Sequence, residues 1–263
     1  MKKKALVSLS FDDGRADNYD IIKNVTIPMN LPVTLNITTG YVDRSCPQEK
    51  LPSDKLAMTK ENVIELFNNP LVEIALHGDQ HLNTEKDISA GRKKLIEWFD
   101  LPYDSKFGFA SPGSGFDIQE FINSKHNLFN QDILYMRTSL RISTKKKIRI
   151  FCRKVSRVIH LPFLYAIAYA DTVMDNSNDR VIYSVPILKD ITVLQVEAII
   201  NKCIKRGGAL TLMFHSIVED TSTDDNWSWE KEKFEAICQY LAQKQSEGLL
   251  DVCTTKVLHR SIM

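Results

Sequence analysis

Several features that would assign a chain to a familiar class are missing from this sequence. No apolar run approaches the ~20 residues needed to span a bilayer. Net charge is nearly absent, +1 over 263 residues, which argues against a nucleic-acid binder held by whole-molecule electrostatics, since such domains are usually strongly basic. Cysteines are few and unpaired in pattern. Cys46, Cys152, Cys203, Cys238 and Cys253 are odd in number and show no C-x-x-C spacing, so neither a disulfide framework nor a zinc ribbon is indicated. A reducing, cytoplasmic setting is the simplest reading. There is also no internal repeat, low-complexity tract or obvious interdomain linker. The opening Lys2–Lys4 followed by Ala5–Phe11 superficially resembles a signal peptide, but Asp12 and Asp13 cut the apolar run short before any cleavage site, and we read it as a first strand.

What is present is a chain that is 43% hydrophobic, enough for a large core; one α/β-barrel domain fits as easily as two small ones, and one domain is favoured. Short apolar runs rich in β-branched residues recur at Ala5–Phe11, Val33–Ile37, Val72–Leu76, Phe107–Ala110, Ile133–Arg137, Val181–Val185, Leu210–Phe214 and Leu249–Cys253. Helical periods lie between several of them. Thr59 can cap a helix carrying Val63, Ile64, Leu66 and Phe67, and Ile88–Phe99, Val193–Ile204 and Trp229–Leu241 are similarly amphipathic. Alternating strands and helices predict a parallel sheet wrapped by helices, with a single distorted, closed or incomplete (β/α) barrel ranked above an open doubly wound sheet.

One segment breaks the rhythm. Ile133–Ala170 holds nine Lys or Arg and no Asp or Glu, so taking nine from the total of +1 leaves the rest of the chain at −8. Lys145, Arg149, Arg153 and Arg157 recur every four residues, and Ile148, Phe151, Cys152, Val155 and Ile159 fill another face. This describes a basic amphipathic helix ending near Pro162, within a helical insertion spanning 139–180. Two readings stay open: a solvated excursion from the barrel, or peripheral contact with an anionic membrane through 145–165.

Four polar clusters stand directly after predicted strands: Ser10-Phe11-Asp12-Asp13-Gly14, His77-Gly78-Asp79-Gln80-His81, Phe109-Ala110-Ser111-Pro112-Gly113 and Phe214-His215-Ser216. The carboxyl ends of parallel barrel strands open on one face, so these clusters would converge there. His77 and His81 are four apart, and a helical turn would put both imidazoles on one side, as when two histidines share a zinc. Such a pair alone is commonly two ordinary histidines; an acidic third ligand changes the odds, and the Asp12-Asp13 pair offers one, although Asp-Gly is also a common turn dipeptide. His215 would reach the same rim, where a histidine can protonate a departing nitrogen, but a lone histidine after a core strand is more often structural.

The order, spacing and flanks of these clusters resemble the polysaccharide deacetylases of the NodB-like fold, carbohydrate esterase family 4. The likeness runs over nearly the whole chain and includes Leu31–Ile37, Gly40–Asp43, Met58-Thr59 and Val72–His77. The resemblance implies that Asp12 is the general base, that Asp13, His77 and His81 bind a divalent metal, and that His215 is the general acid. Zinc is the first candidate, with cobalt or another divalent ion as alternatives. It also implies that the backbone after the motif proline, Pro112-Gly113, stabilises the oxyanion. The expected activity is removal of N-acetyl groups from an amino sugar in a polysaccharide, glycolipid or nucleotide-sugar precursor. Hydrolysis of another C–N amide or an O-acetyl ester, or sugar binding without turnover, are the alternatives.

Two positions depart from the family pattern, Ala110 and Gly113, the latter standing where an aromatic is common. Ala110 stands where many relatives have an Arg that orients the catalytic Asp; Arg137 on the next strand is the candidate replacement, although it also simply begins the basic segment. No clear counterpart exists of the acidic motif that steers the general-acid histidine, for which Asp171, Asp175 and Asp190 are unranked candidates.

Overall fold

A computed structural model describes residues 3–46, 56–123, 132–139, 147–176, 180–221 and 226–263. Its strands are β1 (Ala5–Phe11), β2 (Val33–Ile37), β3 (Val72–Leu76), β4 (Phe107–Ala110), β5 (Ile133–Ser139), β6 (Val181–Pro186), β7 (Ala209–Phe214), β8 (Ser216–Val218), β9 (Ser228–Glu230) and β10 (Leu250–Val252). The helices are α1 (Ala16–Ile21), α2 (Thr39–Val42), α3 (Lys60–Phe67), α4 (Glu85–Trp98), α5 (Ile118–Asn123), α6 (Lys147–Ile159), α7 (Pro162–Ala168), α8 (Val193–Arg206), α9 (Lys231–Ser246) and α10 (Thr255–Ile262).

Strands β1 to β7 are all parallel and close into a ring, because β1 pairs with β2 on one side and with β7 on the other. The closed barrel therefore has seven strands. The eighth run expected from sequence, β10, lies against the first half of β1, Ala5–Val7, while β2 pairs only with Leu9–Phe11. Strands β8 and β9 form a small separate parallel pair beyond β7.

Period-two alternation decides what faces the lumen. Val7, Leu9, Phe11, Val33, Leu35 and Ile37 join the main apolar core. The residues between them, Ser8, Ser10, Thr34 and Asn36, are polar and buried, and lumen-facing polar side chains also bond across strands that are not neighbours. Tyr135 of β5 donates to Glu73 of β3 at 2.8 Å, and Arg137 of β5 reaches Asp12 after β1 at 2.6 Å. Such partners can meet only inside the ring. The lumen is thus a hydrogen-bonded polar column. Its floor is Glu73, which accepts from Thr34, Tyr135 and the backbone N–H of Lys256 at the start of α10. Burial pushes the Glu73 carboxyl above its usual range despite these donors.

Helix boundaries follow local capping chemistry. Thr59 and Asn62 form a reciprocal capping box at α3, as do Thr192 and Gln195 at α8. Helix α4 starts three residues before the expected Ile88 because the Thr84 side chain accepts from the Asp87 N–H. Trp229, expected to open the last long helix, instead lies in β9, and α9 begins at Lys231.

Residues 139–180, expected to form a helical insertion, contain α6 and α7, with residues 140–146 and 177–179, including Lys145, outside the described residues. The basic face of α6 is turned inward. Arg149 pairs with Asp171, Arg153 lies beside Tyr169, and Arg157 is held by Asp190 at 2.6 Å. The Ser156 carbonyl accepts from Gln195 of α8, fixing the helix to the barrel's outer layer.

Candidate active site

The four polar clusters converge on the carboxyl rim of the barrel. Asp12 and Asp13 follow β1, and Asp13 adopts a left-handed backbone with φ 73°. That conformation turns its carboxylate away from that of Asp12, so two adjacent, buried acids face different partners. Asp12 receives the Arg137 guanidinium on both oxygens at 2.6 Å and Asn36 on one at 2.9 Å. Burial pushes the Asp12 carboxyl up, but Arg137, then His77 and His215, outweigh it and hold it below its usual range. Arg137, a residue of β5 with 1% exposure, is also tied to Ser184 of β6.

Asp13 is held by Arg15, whose Nε and Nη2 both lie 2.9 Å from Oδ2. The other oxygen, Oδ1, stands 3.5 Å from His77 Nε2 and 3.4 Å from His81 Nε2. Ligand atoms of a tetrahedral zinc site, at about 2.0–2.1 Å from the ion, are about 3.3–3.4 Å apart. The spacing therefore suits a metal, and one ligand atom from each of the three residues lies within 4.8 Å of the others. The tautomer of His77 suits it too. Its Nδ1 donates to the Ala110 carbonyl at 2.8 Å, which leaves the Nε2 lone pair directed at the cluster.

The histidine pair reaches this arrangement by a loop rather than the helical turn its spacing suggested. Residues 77–82 contain no helix, and both Gly78 (φ 83°) and His81 (φ 57°) are left-handed. The loop winds around the Asp87 carboxylate in the first turn of α4, which accepts from the N–H groups of Asp79, Gln80 and Leu82 at 2.6–3.1 Å. A side chain at Gly78 would place its Cβ 2.2 Å from that carboxylate. Glycine is required there on two counts.

His215 lies between β7 and β8, with Nε2 3.9 Å from Asp12 Oδ2 and its ring 4.5 Å from that of Trp227. Burial lowers its pKa, and the pulls of Asp13 and Asp12 offset this only in part. None of the three candidate orienting acids serves it: Asp171, Asp175 and Asp190 pair with Arg149, Arg206 and Arg157. Among the described residues, His215 Nδ1 has no hydrogen-bond partner.

Pro112 and Gly113 sit in a turn after β4, with Gly113 left-handed at φ 54°. Asn83 fixes this turn by donating to the Pro112 carbonyl and accepting from Ser111, both at 2.8 Å. Arg15, Asn36, Asn83 and Asp87 are site-building residues that sequence reasoning missed. Their types are ordinary for loops and strands, and only the fold reveals what they touch; the single available signal was Arg15 beside the Asp-Asp-Gly cluster.

No protein-family model matches the chain, and no curated protein matches it in sequence. Solved structures do match. Its structural neighbours are polysaccharide deacetylases of carbohydrate esterase family 4 and the NodB-like fold. A Mycobacterium smegmatis protein provisionally described as a polysaccharide deacetylase aligns over 99% of this chain and 91% of its own, with 13% identity and a TM-score of 0.52. A family 4 acetyl xylan esterase from Clostridium thermocellum, solved with a cobalt ion, aligns over 78% and 87% with 17% identity and a TM-score of 0.39. A polysaccharide deacetylase from Bacillus cereus aligns over 49% of this chain at 14% identity and a TM-score of 0.37. The match spans only 39% of that Bacillus chain. At these identities the likeness is one of fold. The chain thus combines a deacetylase-like barrel with an Asp-His-His cluster that could hold a divalent ion.

Proposed function

We propose that the protein is a metal-dependent hydrolase that removes N-acetyl groups from an amino sugar. The observation that carries this reading is the convergence of Asp13, His77 and His81 at ligand spacing beside a separately anchored second carboxylate, Asp12. Three protein ligands are the number found in hydrolytic zinc sites, where a fourth position is left for water.

Asp13 Oδ1 and the Nε2 atoms of His77 and His81 would hold the ion, while Arg15 occupies the remaining Asp13 oxygen. A divalent ion there supplies Lewis acidity, lowering the pKa of water and polarising the acyl carbonyl. Asp12 would accept the proton of the attacking water. Its low pKa makes it a weak base, a cost offset because Arg137 fixes its direction. The Gly113 N–H, on the turn braced by Asn83, would donate to the oxyanion. His215 would deliver a proton from Nε2 to the leaving nitrogen, restoring the amine. Zinc is the first candidate ion, with cobalt the next.

The test is acetate release from N-acetylated chitooligosaccharides, peptidoglycan fragments, nucleotide sugars, an O-acetylated xylan and simple amides, with and without chelator. Chelator-sensitive acetate release from an N-acetylated sugar is the expected result. Release from the ester or the simple amides alone would overturn the substrate assignment.

A further inference from the structure

The loop that carries both rim carboxylates also grips the chain on either side of His215. Asp13 and Gly14 are consecutive left-handed residues, with φ 73° and 76°, and they fold the chain back on itself before α1. The Gly14 carbonyl accepts from the Met58 N–H at 2.8 Å, and the Ala16 N–H donates to the Leu56 carbonyl at 2.7 Å, so the turn is anchored. From it the buried Arg15 guanidinium uses all three of its nitrogens. Nε and Nη2 lie 2.9 Å from Asp13 Oδ2, and Nη1 donates to the buried Ser216 Oγ at 2.8 Å. Two residues further, the Asp17 carboxylate accepts from the Ile217 N–H at 2.6 Å. On the other side of His215, the Phe214 carbonyl accepts from the Asp12 N–H at 2.9 Å. Residues 12, 15 and 17 thus hold residues 214, 216 and 217, with His215 between them.

We infer that Arg15 and Asp17 are positioning residues for His215, aiming its imidazole by fixing the backbone that follows it. The inference rests on the proposed role of His215 as the proton donor. The need for such a device follows from the topology. Strand β7 is bonded to β1 and β6, but among the described residues β8 pairs only with β9 and not with the ring. The chain therefore leaves the barrel wall at His215, and Arg15 and Asp17 supply the lateral bonds that a neighbouring strand gives to β7. An arginine required only to neutralise Asp13 would be satisfied by its two contacts to Oδ2; the third, to Ser216, is the one that reaches β8. Steering through the ring by Asp171, Asp175 or Asp190 is ruled out by their pairing with Arg149, Arg206 and Arg157. Both contacts engage charged groups, which makes them strong and directional. One consequence is that Asp12, Asp13 and His215 are held as a single body, because the loop bearing the two acids is the clamp on the histidine. Sub-ångström placement of this kind is what proton transfer to a leaving group demands.

The test uses the purified full chain and reads the position of His215 separately from turnover. Ser216→Ala removes the Arg15 contact to β8 while leaving both Arg15 contacts to Asp13, and Asp17→Ala removes the second grip. The two contacts are independent, so one folded variant is enough for the test. With histidine labelled at Cε1 for NMR, the His215 signal is assigned by its loss in His215→Ala. Wild type should give one His215 signal with the relaxation of the rigid barrel. Ser216→Ala and Asp17→Ala should each shift and broaden it while the distant His259 signal stays in place, and Ser216→Thr, which returns the hydroxyl, should restore it. In acetate release, each alanine variant should keep its bound ion and lose about 10–100-fold in kcat. That loss should vanish in the His215→Ala background, because residues that act through one group are not additive. An unchanged His215 signal in both alanine variants, or a rate loss of the same size with and without His215, overturns the proposal. If wild type releases no acetate from any substrate, the hydrolase reading fails, and the NMR result alone decides whether Arg15 and Asp17 hold the ring.

Discussion

Asp12 and Asp13 are chemically identical neighbours with opposite assignments, and the difference lies in what each touches. Asp12 has both oxygens on Arg137, whereas Asp13 has one on Arg15 and one turned to two imidazole nitrogens. The same isosteric change should therefore have different effects at the two positions. Asp13→Asn should lose the bound ion, as should His77→Ala and His81→Ala, whereas Asp12→Asn should keep it and lose about 10²–10⁴ in rate. Metal analysis of the purified variants beside acetate-release kinetics separates them; full metal occupancy in Asp13→Asn would refute the division. His215→Ala belongs with Asp12→Asn, with metal kept and rate lost.

The Asp12–Arg137 pair also makes a prediction about stability. Both groups are buried, so removing the cation leaves an unpaired buried carboxylate, and Arg137→Met should cost about 3–5 kcal/mol. Asp12 is held below its unfolded value, so the stabilisation from the pair is present above about pH 4 and is lost as pH falls through the lower folded value. The stability gap between wild type and Arg137→Met, read from urea melts, should therefore shrink from pH 6 to pH 3. A gap that is constant or widens on acidification would show that Asp12 is not the residue Arg137 stabilises.

At the scale of elements, the histidine loop is shaped by a helix that follows it in sequence. Three loop N–H groups converge on Asp87, and hydrogen bonds to a charged acceptor are worth about 1.5–3 kcal/mol each. Asp87→Ala should lower the melting temperature and weaken metal binding together, although Asp87 is not among the three candidate ligands. Gly78→Ala should do the same through backbone strain and the close approach to Asp87. Loss of stability with unchanged metal affinity in both variants would show that the loop does not position the histidines. These contacts explain why the site was only partly legible in sequence. The residues brought together could be read, because strand ends in a parallel barrel share a rim. The path of residues 77–81 could not, because four-residue spacing suggests a helical turn and only the packing of α4 makes the loop. Likewise, β-branched runs marked seven barrel strands, but nothing local showed that β7 would close on β1 and leave β10 beside it. The i,i+4 basic repeat marked α6 correctly as amphipathic. Which face turned inward was set by Asp171 and Asp190, whose positions depend on the tertiary fold.

Over the whole molecule, a polar lumen runs from Glu73 at the floor to Asp12 at the rim, inside a ring whose outer surface is apolar and covered by helices. The candidate ligands stand on loops that leave strands hydrogen-bonded on both sides, and Arg15, the Ala110 carbonyl and Asp87 hold those loops in place before any ion arrives. Ion binding to the folded state alone should then stabilise the fold by mass action, with about 2.7 kcal/mol expected at 100 times the dissociation constant. The most direct test of the account loads the chelated protein with zinc and follows ion content, melting temperature and acetate release together, in wild type and His77→Ala. The account predicts one ion per wild-type chain, a higher melting temperature and acetate release that returns with the metal, and none of these in His77→Ala. Acetate release that persists in the chelated, metal-free protein would contradict it.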